Sequence, residues 1–362
     1  MTVFACVGCD AVLSAPLTEV ALPDHAHQKW GNGVMLPVLM ESGTYAVDPE
    51  PSGPPWRPWR EVGEAEAATR GVFAPVYGLS YGTPGAIVVA PGDTRGTVLI
   101  PERCEGYCCG LTGADGPNLA CERCGRPVAT RVDDCSLWQA VWFTPDAVRR
   151  LPVDGPAPWA SGWEALARGP QGVPPLSRSG AWSREWEAAV GAALAHVLVA
   201  SEGAPVVVPD GLVADTFRRA LHALLPQGAP VKTLALAGPG LPAPDAAADI
   251  LLVPRHPLTG EAWRPPSGTA RTAPLAAGTW TRLAFPDERP WQPAAGGLPD
   301  GVLRDDPLPL LPDRFFEPDD DVLLDTLARL PAVRQPWLRA VHDRRRPPGR
   351  PLHPRRVSDL VP

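Results

Sequence analysis

Two short stretches decide the fold of the first part of this 362-residue chain: FACVGCD at residues 4–10 and LACERCG at residues 119–125. Each contains Cys-x-x-Cys, a turn that presents two thiolates to a single metal ion. Zinc binds four such ligands in a tetrahedron, so two turns are sufficient for one ion. In the second stretch, Gly125 directly follows the second cysteine and lets the backbone turn tightly. The sequence therefore predicts one zinc ion bound by Cys6, Cys9, Cys121 and Cys124.

The two cysteine pairs resemble the knuckles of the zinc-ribbon family, in which two such turns on hairpins hold one zinc ion. The resemblance covers the two stretches and the extended, partly apolar segments that follow them, residues 11–13 and 127–129. It implies a structural zinc site. The chain departs from a compact ribbon in one respect, because 111 residues separate Cys9 from Cys121. The intervening residues are then an elaborate insertion between the knuckles.

Four further cysteines leave other ligand sets open: Cys104, Cys108, Cys109 and Cys135. Cys121 and Cys124 can take local partners instead, from Cys108 or Cys109 and from Cys135. Two zinc ions, or no metal at all, are the remaining alternatives. A site of four thiolates leaves no open position for water, so zinc bound in this way holds the fold and does not catalyse.

Composition and charge exclude some functional classes. The formal net charge is −7, which argues against a general nucleic-acid binder. No apolar run reaches the length of about 18 residues that a membrane span needs, and residues 1–20 lack the pattern of a secretory signal. The expected location is the cytoplasm, where thiols stay reduced and clustered cysteines are more often metal ligands than disulfides.

The sequence predicts an α+β protein with two domains. The cysteines and the apolar runs of the first part predict a β-rich, zinc-stabilised domain over residues 1–150, and prolines and glycines mark a linker over 151–181. Residues 182–330 form a small α/β domain and residues 331–362 an extended Arg/Pro-rich tail. The expected elements are a hairpin of strands 86–90 and 97–100, helices at 183–201, 212–225 and 321–330, a buried strand at 206–208, and two further strands at 231–237 and 250–253.

Arginines are concentrated near the end of the chain. Between residues 334 and 356 there are eight arginines and one acid, a local charge of +7. One interpretation is a nucleic-acid partner, bound through Arg344, Arg345, Arg346, Arg355 and Arg356. The other is that the arginines pair with the protein's own acids just upstream, Glu317, Asp319, Asp320 and Asp321.

Three weaker patterns compete with ordinary structural explanations. His25 and His27 offer two imidazoles for metal binding or acid–base chemistry, but a surface loop after Pro23 explains them more simply. The sequence AGPG at residues 237–240 follows a predicted strand, yet it lacks the spacing of a phosphate-binding loop. Asp210 lies at the carboxyl end of a strand, the usual ligand side of an α/β sheet, and is equally suited to cap the next helix.

Two functions are compatible with these patterns. The first is an interaction or scaffold module with a protein partner, which the sequence favours because it contains no recognisable catalytic motif. The second is an enzyme whose active site lies at the domain junction and whose zinc is purely structural. A deep pocket containing His25, His27 or Asp210 would favour the enzyme.

Overall fold

The computed structural model describes residues 1–28, 36–104, 110–155, 162–164, 172–176, 181–244, 247–266, 269–286 and 315–345. They form two compact units. The first holds the described residues of Met1–Ser161, His256–Glu261 and Asp320–Pro362, and the second those of Gly162–Arg255 and Ala262–Asp319. Helices and strands occur in both, so the predicted α+β class is confirmed. The boundaries of the predicted domains stay a prediction.

The first unit is rich in β-structure. Its strands are β1 (Thr2–Cys6), β2 (Thr18–Glu19), β3 (Thr44–Asp48), β4 (Trp56–Pro58), β5 (Gly78–Ser80), β6 (Ala86–Val89), β7 (Thr97–Leu99), β8 (Leu119–Cys121), β9 (Pro127–Val132), β10 (Ala140–Phe143) and β11 (Val148–Pro152), and α1 (Trp59–Val62) and α2 (Glu64–Thr69) follow β4. Seven strands form one sheet in the order β2-β3-β6-β10-β9-β8-β7. β6 and β10 are neighbours inside this sheet and are buried throughout, as their unbroken apolar sequences AIVV and AVWF indicate. β1 pairs with β11, and β4 with β5.

Residues 86–100 contradict one expectation from the sequence. β6 and β7 do not form the predicted hairpin, because β10, β9 and β8 lie between them in the sheet. β6 instead runs antiparallel to β3 and to β10. The segment Pro91–Asp93 is a 3-10 helix, and the Asp93 carboxylate accepts hydrogen bonds from Ser42 Oγ at 2.9 Å and from Gly43 N at 2.8 Å. A buried strand such as β6 needs neighbours on both sides, and these come from distant parts of the chain.

Phe4 of β1 lies in the core of the first unit. Its ring meets the Tyr45 ring edge-on, with 5.0 Å between centroids, and stacks on Phe143 at 6.1 Å. Cys6 and Cys121 belong to the same cluster of buried side chains. The beginning of the chain is therefore packed against the main sheet, which fixes the position of the first Cys-x-x-Cys turn.

The second unit contains a four-stranded parallel sheet whose strands lie in sequence order. The strands are β12 (Val206–Val207), β13 (Lys232–Leu236), β14 (Ile250–Arg255) and β15 (Arg271–Ala276), and the helices are α3 (Arg184–Ser201), α4 (Leu212–Leu224) and α5 (Ala277–Ala284). Ser183 is the N-cap of α3, since its Oγ accepts a hydrogen bond from Trp186 N at 3.3 Å. The two helices and three strands predicted here are confirmed, with ends shifted by one or two residues, but the strand predicted to be buried at 206–208 leaves Val207 54% exposed.

Packing explains the loop after β13. Trp280 of α5 is fully buried and donates a hydrogen bond from Nε1 to the Ala237 carbonyl at 3.2 Å. A Cβ on Gly238 would lie 2.2 Å from the Trp280 ring, so this position requires glycine. Asp210 does not cap α4, whose N-cap is Gly211. Its side chain is 96% exposed and pairs with Arg218 at 2.6 Å. Both features have structural explanations that involve no ligand.

The end of the described chain belongs to the first unit and is helical. α6 (Asp320–Arg329) and α7 (Pro336–Arg345) are joined by a 3-10 helix at Pro331–Arg334. The expectation of an extended tail is therefore wrong for residues 336–345. The local composition is basic and proline-rich, but α7 buries three side chains, Leu338, Val341 and His342. Among the described residues, no helix is both long enough and apolar enough to cross a bilayer.

Several arginines of this region make contacts within the first unit, among them Arg339, which pairs with Asp343 at 3.0 Å. The Arg334 guanidinium lies 4.2 Å above the Phe73 ring, and Arg345 pairs with Asp320 at 2.9 Å. The predicted pairing with upstream acids is thus observed at Asp320. The remaining predicted contact residues are Arg344, which ends α7 together with Arg345, and Arg346, Arg355 and Arg356, which lie outside the described residues.

We expect Gly238→Ala to destabilise the second unit by about 1–3 kcal/mol, because the added methyl group overlaps the indole of Trp280. Gly92→Ala is the control, since a Cβ at Gly92 has no neighbour within 4 Å. Thermal unfolding followed by tryptophan fluorescence compares the two variants. Equal melting temperatures would contradict the packing explanation.

Candidate metal centre

The first Cys-x-x-Cys turn begins at the last residue of β1. The Cys6 N–H donates a hydrogen bond to the Ala11 carbonyl, and the Asp10 N–H donates one to the Cys6 carbonyl, each at 2.9 Å. Asp10 has a φ of 63°, in the left-handed region that aspartate tolerates better than most residues. The turn therefore reverses the chain within five residues and places the thiols of Cys6 and Cys9 on one side.

The second turn has the same local structure. The Cys121 N–H donates to the Arg126 carbonyl and the Gly125 N–H to the Cys121 carbonyl, each at 2.8 Å. Gly125 has a φ of 72° and occupies the position that Asp10 occupies in the first turn. Two turns that are 111 residues apart thus share their hydrogen bonds and their left-handed residue.

The four predicted ligands are brought together. The Sγ atoms of Cys6 and Cys124 are 3.6 Å apart, as are those of Cys9 and Cys121, and all four sulfur atoms lie within 4.8 Å of one another. A tetrahedral zinc ion with Zn–S bonds of about 2.3 Å would separate its sulfur ligands by about 3.8 Å. The sulfur cage therefore matches a four-thiolate zinc ion in both size and ligand type.

The segment between β10 and β11 contacts both turns. The Val7 N–H donates to the Ala147 carbonyl at 3.1 Å, and Arg126 Nη2 donates to the Asp146 carbonyl at 3.3 Å. A third link joins the turns directly, since Arg123 Nη1 donates to the Cys9 carbonyl at 3.2 Å. Four thiolates and one Zn²⁺ would carry a charge of −2. Arg123 and Arg126 place positive charge beside them, which favours the loaded state.

The thiols differ in burial and in acidity. Cys6 and Cys121 are buried, Cys9 is half-buried and Cys124 is exposed. Desolvation raises the pKa of Cys6. The Ala11 backbone lowers the pKa of Cys9, but desolvation and hydrogen bonds to the other three thiols outweigh it and raise that pKa to about 12. A backbone hydrogen bond at Arg126, together with contacts to the other thiols, lowers the pKa of Cys124 to about 7. Without metal, the thiols of Cys6 and Cys9 are therefore protonated at neutral pH.

The other cysteines fall into two groups. Cys104 and Cys135 are described, and neither belongs to the four-thiol cluster. The Cys104 thiol lies 3.1 Å from the Ile100 carbonyl, and Cys135 Sγ lies 3.7 Å from Ser136 Oγ. Cys108 and Cys109 lie outside the described residues. The structure therefore does not bring Cys135 together with Cys121 and Cys124, as the local ligand set would require.

The predicted histidines lie away from the thiols. His25 and His27 belong to a 3-10 helix at Asp24–His27 and line a separate cavity. Within the described ranges, the four cysteines form the one cluster spaced for a metal ion. The cavity is a feature that the sequence did not reveal, because its other wall comes from α6.

Comparison with protein-family models, curated proteins and solved structures finds no significant match for the chain. The likeness to zinc ribbons therefore remains confined to the two turns.

Cys6→Ser and Cys121→Ser should each abolish zinc binding, because a buried tetrahedral site fails when one ligand is lost. Cys135→Ser is the matched control and should retain the wild-type content of about one zinc per chain. Elemental analysis of protein purified without chelator measures this content. If Cys6→Ser kept full zinc while Cys121→Ser lost it, the ligands would be the local set instead.

Zinc affinity should fall steeply as the pH is lowered. Because the pKa values of Cys6 and Cys9 are raised, both thiols carry protons at neutral pH that zinc has to displace. Displacing the protons of these two thiols alone weakens binding about 100-fold for each pH unit of acidification, so the fall should be at least this steep. Competition with a chromophoric chelator between about pH 6 and pH 8 measures the slope. A change of tenfold or less per unit would contradict a cluster of protonated thiols.

Proposed function

We propose that Cys6, Cys9, Cys121 and Cys124 bind one structural Zn²⁺ and that the first unit is an interaction module for a protein partner. The observation that carries the metal assignment is the cage of four sulfur atoms at tetrahedral spacing. Such a site is closed, because every coordination position is filled by a thiolate. Zinc therefore supplies stability here rather than a reactive water.

Zinc would stabilise the first unit by joining distant parts of the chain. The two turns lie 111 residues apart in sequence, and free energies of about 10–16 kcal/mol are typical of structural zinc sites at neutral pH. A domain tied in this way folds with its metal. The reduced thiols that the site needs are consistent with a cytoplasmic protein.

Exposed apolar side chains support the interaction role. Val7, Val12, Val98 and Leu99 are 39%, 49%, 44% and 46% exposed, and we call them the knuckle patch. Two backbone hydrogen bonds join the segment before β7 to the two cysteine turns and their flanks. The Arg95 N–H donates to the Leu13 carbonyl at 2.8 Å, and the Glu122 N–H donates to the Gly96 carbonyl at 2.9 Å. β7 pairs with β8 and is the last strand at this end of the sheet. An edge strand with exposed apolar residues is suited to pair with an extended segment of another protein.

Two other interpretations stay predictions. The first is the hypothesis that the arginines near the chain end bind nucleic acid. It loses support at Arg345, because this side chain is already paired with Asp320. An enzyme with its active site at a domain junction is the second. The cavity contains His25 and His27, two of the residues expected in that active site, but it lies within the first unit and Asp210 does not line it.

The double variant Val98→Lys, Leu99→Lys should reduce capture of a protein partner at least tenfold, because charge at the centre of an apolar contact costs about 2 kcal/mol or more. Val207→Lys is the control, since Val207 is also exposed on an edge strand but belongs to the second unit. Quantitative mass spectrometry of proteins retained by the immobilised full chain compares the variants. Equal retention by both would remove the knuckle patch from the proposal. Circular dichroism and zinc content verify folding.

A further inference from the structure

A cavity of about 150 Å³ lies within the first unit, apart from the thiol cluster. One wall is the 3-10 helix at Asp24–His27 with the following Gln28, and the other is α6 with Leu330. An apolar cavity of this volume in another protein holds a six-carbon ring. The space is therefore large enough for a small organic molecule of about five or six heavy atoms.

Contacts with Trp138 hold the first wall in place. The Trp138 Nε1–H donates a hydrogen bond of 2.6 Å to Gln28 Oε1, and both residues are buried. The His25 ring packs on the Trp138 ring with 4.1 Å between centroids. Because Gln28 and His25 both contact the buried Trp138, this wall of the cavity is held in place without a ligand, as is typical of small-molecule sites.

The acidic side chains that line the cavity outnumber the arginine. Asp24 and Asp325 contribute two carboxylates, while Arg329 contributes one guanidinium, 3.8 Å from Asp325 Oδ1. The Arg329 Nη1 also donates to the Asp325 carbonyl at 2.9 Å, so this cation is engaged with its own helix. Desolvation lowers the pKa of His25 to about 4, and the imidazole is therefore neutral at physiological pH and can accept a hydrogen bond.

Part of the remaining lining is suited to an apolar body. Val322 and Leu330 present hydrocarbon to the cavity. A metal ion does not fit, because in the described part of the chain only the four cysteines have ligand atoms at metal-binding spacing. A ligand that matches this lining has a cationic group that donates hydrogen bonds to carboxylates and a short hydrocarbon portion.

We infer that this cavity binds a small organic cation, an alkyl- or arylammonium, with its ammonium group at Asp24 and Asp325 and its hydrocarbon portion against Val322 and Leu330. The site is independent of the zinc assignment and of the knuckle patch. It adds recognition of a small amine to a unit whose other features indicate protein binding.

Three probes of equal length separate the contributions of charge and shape: n-butylammonium, 1-butanol and butyrate. Isothermal titration of the zinc-loaded full chain measures affinity, and the indole N–H resonance of Trp138, assigned with Trp138→Phe, reports where binding occurs. Butylammonium should bind at least about tenfold more tightly than butanol, since a charge-assisted hydrogen bond contributes about 1.5–3 kcal/mol. Equal affinity for butanol would reduce the site to an apolar cavity and overturn the inference, as would tighter binding of butyrate or saturable binding by none of the three.

Asp325→Asn should weaken butylammonium at least about tenfold and leave butanol unchanged. Asp210→Asn is the control, because that side chain is exposed in the second unit and should have no effect on either probe. If Asp325→Asn lowers the melting temperature strongly, Asp24→Asn, which is less buried, provides the same comparison. Unchanged butylammonium affinity in a folded carboxylate variant would overturn the inference.

Discussion

The first unit depends on one long-range constraint, the meeting of residues 6–9 with residues 121–124. The hydrogen bonds inside each turn span only five residues and fix its shape, but they cannot bring two turns together. The sheet does this. β10 leads directly into β11, β11 pairs with β1, and the segment between them contacts both turns. A single continuous stretch of chain thereby holds two cysteine pairs that are 111 residues apart.

The location of the sulfur atoms links metal binding to the core. Protonated cysteine behaves as a small apolar side chain, so Cys6 and Cys121 are compatible with a core that contains Phe4. Thiolates at the same positions would be buried charges and need a cation close by. Loss of the buried Cys6 proton would therefore accompany the binding of a cation at this site. Of the four clustered thiols, that of Cys124 is the exposed one.

Features formed by residues close together in the sequence were predictable from it, whereas the pairing of one strand with another was not. The cysteine turns and helix α3 follow from spacing and capping within a few residues. The hairpin expected between β6 and β7 was wrong, because a ladder partner is selected by packing over the whole sheet. The helix at Pro336–Arg345 was missed because its arginines dominate the composition, although three of its side chains are buried. The cavity was not predictable from local sequence patterns, because its two walls are about 300 residues apart in sequence.

The thiol cluster and the cavity share one structural support. Trp138, which holds the cavity wall, lies two residues before β10, and Phe143 at the end of that strand stacks on Phe4 of β1. β10 is buried along its length and paired on both sides, so it behaves as a rigid element. The four-thiol cluster, the edge strand β7 and the cavity are therefore parts of one folded unit that are connected through the seven-stranded sheet.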